Sequence, residues 1–304
     1  MYAFVFPGQG SQRPGMAKDF FDEFEVARQT FDEASSVIQV DLAELCFADD
    51  DAKLNLTEFT QPAILTTEMA MVRVIRQEKK VTANYFAGHS LGEYTALAAA
   101  GIMNFADSVK IVHKRGQLMQ RAVPEGVGAM AALILENIES TNYRELVNKN
   151  NADIANLNSV DQVVISGAKE SVESAVNEIK AQIEGINTVF LNVSAPFHSR
   201  LMQPIEADFR SFLSQFNFNL QKSEQVLSNF SGTFHQANTL IDYLVKQISG
   251  PVRWIENMQL LINTKSSIIE IGPNRPLGKF FSTLGASTTS VLNLRGIEKA
   301  FSNK

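Results

Sequence analysis

Strand-like apolar runs alternate with helix-period segments along this chain, and no other feature limits its fold so tightly. "YAFVF" comes first, a long helical stretch follows over residues 62–78, and "YFAGHS" then leads into "LGEYTALAAAG". Short apolar strands joined through helices that each bury one face give an α/β layer with a mostly parallel sheet. "SSIIEIGP" and "TTSVLNL" repeat the strand signal late in the sequence, so the large unit takes in both ends of the chain. Between residues 126 and 193 the texture changes. "GAMAALIL", "IESTNYRELVNKN", "IANLNS", "QVVISG", "SVESAVNEIKAQIEG" and "INTVFLNV" read β-α-β-β-α-β, with a hairpin around Val160-Asp161, which is the ferredoxin-like order. The expected organisation is a large α/β domain over residues 1–125 and 194–304 and an inserted ferredoxin-like small domain over 126–193.

A chain of 304 residues can bury one large core and a smaller one. Its net charge of -6 argues against a nucleic-acid partner, whose binding surface is usually marked by a basic surplus. Cys46 is the sole cysteine, which removes intrachain disulfides and cysteine-based metal sites and makes a reducing cytoplasm the plainest setting. The N-terminus lacks the basic start and long apolar core of a signal peptide, and no run approaches the ~20 apolar residues of a spanning helix. A cytoplasmic protein without a membrane partner is expected.

The glycine-containing loop "PGQGSQRPG" fits neither phosphate template. Arg13 stands where the third glycine of a dinucleotide loop belongs, and Ser11-Gln12 stand where a P-loop needs Lys then Ser or Thr. Backbone N–H groups in such a turn can still face charge that exists only in a transition state. Gly88-His89-Ser90-Leu91-Gly92 supplies a matching nucleophile, because a G-x-S-x-G between strand and helix lifts its serine hydroxyl out of the chain. The plain alternative is an ordinary Gly-Ser turn. Of the four histidines, His113 in a helical stretch and His235 in a polar one read as surface residues, and His89 as a support for the turn. His198, in "NVSAPFHSRLM" at the boundary of the two domains, is the candidate base. Asp153 and Asp161 lie in the small domain, so no orienting acid is evident and a backbone carbonyl could take that place.

Arg115 is the most informative charge. In the helical run over residues 105–121, Ile111, Val112, Leu118 and Met119 form an apolar stripe with Arg115 in its middle, while Lys110, Lys114, Gln117 and Arg121 take the other face. An inward arginine must meet an anion or leave a buried charge unpaired at a cost of several kcal/mol. That anion is either one of the chain's own acids or the carboxylate of a substrate.

"FVFPGQGSQ", "TQPAILT", "AGHSLGEY", "RGQLMQRAVPEGVGAMAA", "APFHS", "GPVRW" and "EIGP", in this order, resemble the malonyl-CoA:acyl carrier protein transacylases of fatty-acid and trans-acyltransferase polyketide synthesis. The resemblance covers nearly the whole chain. It implies an α/β-hydrolase-like large domain with a ferredoxin-like insert, a malonyl-CoA substrate, an acyl carrier protein partner and no cofactor or metal. It further implies that Ser90 takes the malonyl group as an ester and His198 moves the proton. Gln9 and Leu91 would give backbone N–H groups to the oxyanion, Gln247 its carbonyl to the His198 ring, and Arg115 a bidentate grip on the free carboxylate. One departure bears on specificity. Many fatty-acid members have a small residue directly before the histidine, whereas Phe197 is more like members that serve polyketides and prefer malonyl. The rival within the fold is an acyl-carrier-protein hydrolase, against which an inward cation argues.

Overall fold

The computed structural model describes residues 1–48, 53–124 and 126–302. Strand β1 (Tyr2–Phe6) is followed by helices α1 (Lys18–Glu23), α2 (Glu25–Ile38), α3 (Leu42–Phe47) and α4 (Thr57–Lys79), then β2 (Tyr85–Gly88), α5 (Gly92–Ala100) and α6 (Phe105–Arg121). Next come β3 (Gly128–Ile134), α7 (Tyr143–Lys149), β4 (Asp153–Ser159), β5 (Gln162–Ala168), α8 (Lys169–Gln182) and β6 (Asn187–Phe190). After these lie α9 (Glu206–Leu213), α10 (Leu240–Lys246), α11 (Trp254–Asn263), β7 (Ser267–Ile271), α12 (Pro276–Thr283), β8 (Thr288–Val291) and α13 (Leu294–Phe301).

One sheet has the order β2-β1-β7-β8 with every pairing parallel. "YAFVF" is apolar without alternation because both faces of β1 are covered. Phe4 and Phe6 enter the large core with α4 and α5, while Ala3 and Val5 enter a separate cluster with Trp254 and Phe281. A sheet wrapped on both faces leaves its strand ends as the open side, and the loops after β1 and β2 meet there.

The other sheet has the order β4-β5-β3-β6 and is antiparallel. Helices α7 and α8 close it over a cluster of its own that includes Tyr143, Ile165 and Val176. The fold is therefore α/β with a parallel sheet plus a ferredoxin-like antiparallel sheet. The sheets are joined where Val252, beyond α10, exchanges backbone hydrogen bonds with Ala155 and Leu157 of β4 at 2.8 and 2.9 Å. Residue 125, where the first domain segment is expected to end, and residues 303–304 lie outside the described residues.

Two boundaries differ from expectation. Helix α4 begins at Thr57, so Pro62 lies inside it rather than at its start. The lost N–H costs one helical hydrogen bond, but nearly every residue from Thr57 to Val72 is buried, and tertiary packing outweighs that loss. Strand β6 stops at Phe190 instead of running on to Val193, because the next residues turn into the cleft between the sheets. Among the described residues no helix is long and apolar enough to cross a membrane.

Candidate active site

Ser90 stands on the turn between β2 and α5 with φ +51°, a left-handed conformation that costs a residue bearing a Cβ. The surrounding glycines make the turn possible by close approach. A Cβ on Gly88 would lie 1.9 Å from the Gly92 carbonyl carbon, and one on Gly92 would lie 2.2 Å from the Phe6 carbonyl oxygen. Asn229 clamps the turn from outside: its Oδ1 accepts from the Ser90 N–H at 2.6 Å, and its Nδ2 donates to the Gly88 carbonyl at 2.8 Å. The Ser90 N–H is thereby occupied. Gln9 and Leu91 line the same cleft, and neither of their backbone N–H groups meets an acceptor among the described residues.

His198 comes from 108 residues away in sequence, and its Nε2 accepts from the Ser90 hydroxyl at 2.7 Å. Its Nδ1 lies 2.8 Å from the Gln247 carbonyl and 3.2 Å from that of Gly250. Carbonyls only accept, so Nδ1 carries the proton and Nε2 is left with its lone pair toward serine. Burial, helped by the Arg115 charge, pushes the ring down to about 3, which keeps it neutral across the physiological range. Among the described residues no carboxylate touches the ring. Asp153 is forked onto Arg200 at 2.7 and 3.0 Å, and Asp161 accepts from the Asn137 N–H.

Arg115 is 1% exposed. Its Nη1 donates to Gln61 Oε1 at 2.8 Å, and its Nη2 donates to Gln247 Oε1 at 2.9 Å and to Ser90 Oγ at 3.2 Å. The guanidinium also lies 5.2 Å from the Tyr94 ring centroid. Burial lowers its pKa, against the neighbouring Tyr94 and Glu93. None of these hydrogen-bond partners is a carboxylate, so of the two anions weighed from the sequence, no acid among the described residues is the one in contact. The cleft itself has a volume of about 640 Å³ and lies between the two sheets. Phe197, 8% exposed, lines it together with Met119, Met130 and Val164.

The structure corrects two readings. His235 is fully buried rather than on the surface, with Nε2 2.7 Å from Glu93 Oε1. His113 is half-buried on α6, beside Phe59. His89 supports the turn as expected: it is held 2.7 Å from Asn158 Oδ1 and pushed down to about 4 by burial. Gln61, Glu93 and Asn229 escaped sequence reasoning. The first two sit inside the blocks "TQPAILT" and "AGHSLGEY", which could have exposed them, whereas nothing local marks Asn229.

A neutral histidine on a serine at a strand-to-helix turn, with backbone carbonyls behind it and a guanidinium beside the hydroxyl, describes an acyl-transfer centre. The sequence pattern of the acyl transferase domain matches residues 3–277, and the chain belongs to that family. It is 39% identical over 282 residues to a malonyl CoA-acyl carrier protein transacylase of Bacillus subtilis, covering 90% of this chain and 69% of that protein. Its fold superposes on the crystal structure of a malonyl CoA-acyl carrier protein transacylase from Clostridium perfringens with a TM-score of 0.91 at 37% identity, covering 99% and 96% of the two chains. It matches equally well, at a TM-score of 0.91, 38% identity and coverage of 100% and 99%, a malonyl-transacylase solved with its type II polyketide acyl-carrier protein, PlMCAT:AntF.

Proposed function

We infer that this acyltransferase moves a malonyl group from malonyl-CoA to the phosphopantetheine thiol of an acyl carrier protein, through an ester on Ser90. The Ser90 Oγ attacks the thioester carbonyl while His198 Nε2 takes its proton. The oxyanion that forms is met by the N–H groups of Gln9 and Leu91. When the tetrahedral adduct collapses, the C–S bond breaks and the leaving thiolate recovers the proton from His198. A carrier thiol then repeats the sequence in reverse, giving its proton to His198, attacking the ester and releasing serine. The Gln247 carbonyl holds the imidazole through both halves. Arg115 binds the free carboxylate, and the Phe197 ring limits the space around the α-carbon. No cofactor or metal enters this scheme, because the chain's own groups supply every proton transfer and every charge.

One observation carries the reading: a buried guanidinium touches the nucleophile and is held by neutral amides, which leaves it able to pair with an anionic acyl group. A hydrolase of uncharged acyl chains has no use for it. The same reading puts the chain in the cytoplasm, divides it into a catalytic unit over residues 1–125 and 194–304 with a small unit over 126–193, and excludes nucleic-acid and membrane partners. The test is incubation with malonyl-CoA followed by intact mass, with and without phosphopantetheinylated carrier protein. A stoichiometric malonyl adduct that moves to the carrier is expected. Release of free malonate without transfer would favour the hydrolase.

A further inference from the structure

Glu93 is a fully buried carboxylate in α5 that the reaction scheme above leaves without a task. Its Oε1 accepts from His235 Nε2 at 2.7 Å, and its Oε2 accepts from Gln247 Nε2 at 2.7 Å and from the Asn229 N–H at 3.0 Å. Gln247 Nε2 gives its other hydrogen to the Ser90 carbonyl at 2.9 Å. A carboxylate and a carbonyl can only accept, so this end of the amide must be its nitrogen. The oxygen is then forced toward Arg115, whose Nη2 donates to it at 2.9 Å. A flipped amide would set oxygen against carboxylate and NH₂ against guanidinium, repulsive at both ends. The same residue holds the base through its backbone carbonyl.

We propose that Glu93 is a positioning residue for acyl transfer: backed by His235, its carboxylate fixes the Gln247 side-chain amide and so aims Arg115 at the acyl carboxylate. No carboxylate among the described residues occupies the guanidinium, and its Nε–H meets no acceptor there. Direct pairing would instead close the site to an anionic acyl group. The proposal rests on the transfer reading above. If the unaltered protein gains no malonyl adduct, that reading fails. If it does and the variants below behave otherwise than stated, only the role of Glu93 fails.

The test is a double-mutant cycle of Glu93→Gln and Gln247→Met, read as kcat/KM for malonyl-CoA and for uncharged acetyl-CoA. Methionine keeps the backbone carbonyl of residue 247 and removes the amide. Each single change is expected to lower the malonyl-to-acetyl ratio at least tenfold. Adding Glu93→Gln to Gln247→Met should change the ratio by less than twofold, because the residue acts through an amide already gone. Equal factors in both backgrounds, or an unchanged ratio in folded Glu93→Gln protein, would overturn the proposal. Should Glu93→Gln not fold, Gln247→Met alone decides: an unchanged ratio means that the amide aims nothing and that Glu93 has nothing to position.

Discussion

Ser90 and His198 both stand on left-handed backbone, with φ of +51° and +56°, yet the two loops sustain that conformation by different means. Around Ser90 the work is local: two glycines within two residues on either side let strand, turn and helix press against one another. Around His198 no glycine lies within two residues in the sequence. Instead its ring is tied to the carbonyls of Gln247 and Gly250, Ser199 Oγ donates to the Pro196 carbonyl at 2.7 Å, and Arg200 is forked onto Asp153. A loop built from close backbone approach fails wherever one atom is added. A loop built from several dispersed hydrogen bonds loses only a share of its support with each one removed.

The largest effect expected is on chemistry rather than shape. Ser90→Ala should leave the turn folded and abolish the malonyl adduct, with a fall in rate on the order of 10⁶-fold as for other serine nucleophiles; an adduct of full stoichiometry on the variant would place the ester elsewhere. Gly92→Ala attacks the first loop directly. The added methyl meets the Phe6 carbonyl, which as backbone cannot swing aside, so a loss of ~3 kcal/mol or more is expected in denaturant unfolding, and an unchanged midpoint would refute the close-packing account. Phe197→Ser probes the second loop from its cleft side. If the ring is a wall, the preference for malonyl over methylmalonyl in kcat/KM should fall by roughly 10–200-fold with a modest drop in Tm, while an unchanged ratio would make Phe197 a packing residue.

Ser199→Ala should cost only ~1 kcal/mol, since it removes one of several bonds around the base. A cost as large as that of Gly92→Ala would erase the contrast between the loops. The last effect is expected to be nil. With burial and the Arg115 charge pushing His198 down to about 3, the ring should stay unprotonated from pH 8 to 5, and kcat/KM for acylation should show no histidine limb in that range. An acid limb near pH 6.5 would show that the ring is neither desolvated nor influenced by Arg115. The linked stability term has a definite sign. The unfolded chain takes up a proton at this histidine below about pH 6.5 and the fold does not, so its contribution weakens as pH falls from there toward 3.

The same contrast decides what the sequence revealed. The nucleophile was legible because its structural causes lie within five residues: an apolar run, two glycines and a helix start. Arg115 was legible as an inward cation because helical periodicity is a local signal, although its amide partners, 54 and 132 residues away, were not. The base was found by elimination among few histidines. His235 was misread because its polar neighbours suggest solvent, whereas it is buried by pairing with Glu93, 142 residues distant. Buried carboxylates are the general blind spot. Glu68, wholly buried against Thr95 and pushed well up by desolvation, sits in a helix whose sequence gives no cue that an acid there faces inward. Short apolar runs set between helix-period segments made both sheets readable, while the start of α4 was misplaced because Pro62 mimics the first residue of a helix.

The antiparallel sheet enters through β3 and leaves through β6, and these two strands are hydrogen-bonded neighbours, Ala131 opposite Phe190 and Ile134 opposite Asn187. Seen from the rest of the molecule, everything between them is therefore an excursion that returns to its point of departure. Closing a long loop costs entropy that grows only slowly with length, and here the pairing of entrance and exit holds the ends together whatever lies between. During synthesis the segment bearing Ser90 emerges well before the one bearing His198, with this self-closing stretch in between. Its compaction takes the stretch from β3 to β6 out of the effective chain separating nucleophile from base, 108 residues apart, and leaves α5, α6 and the short segments flanking the sheet as the path between them.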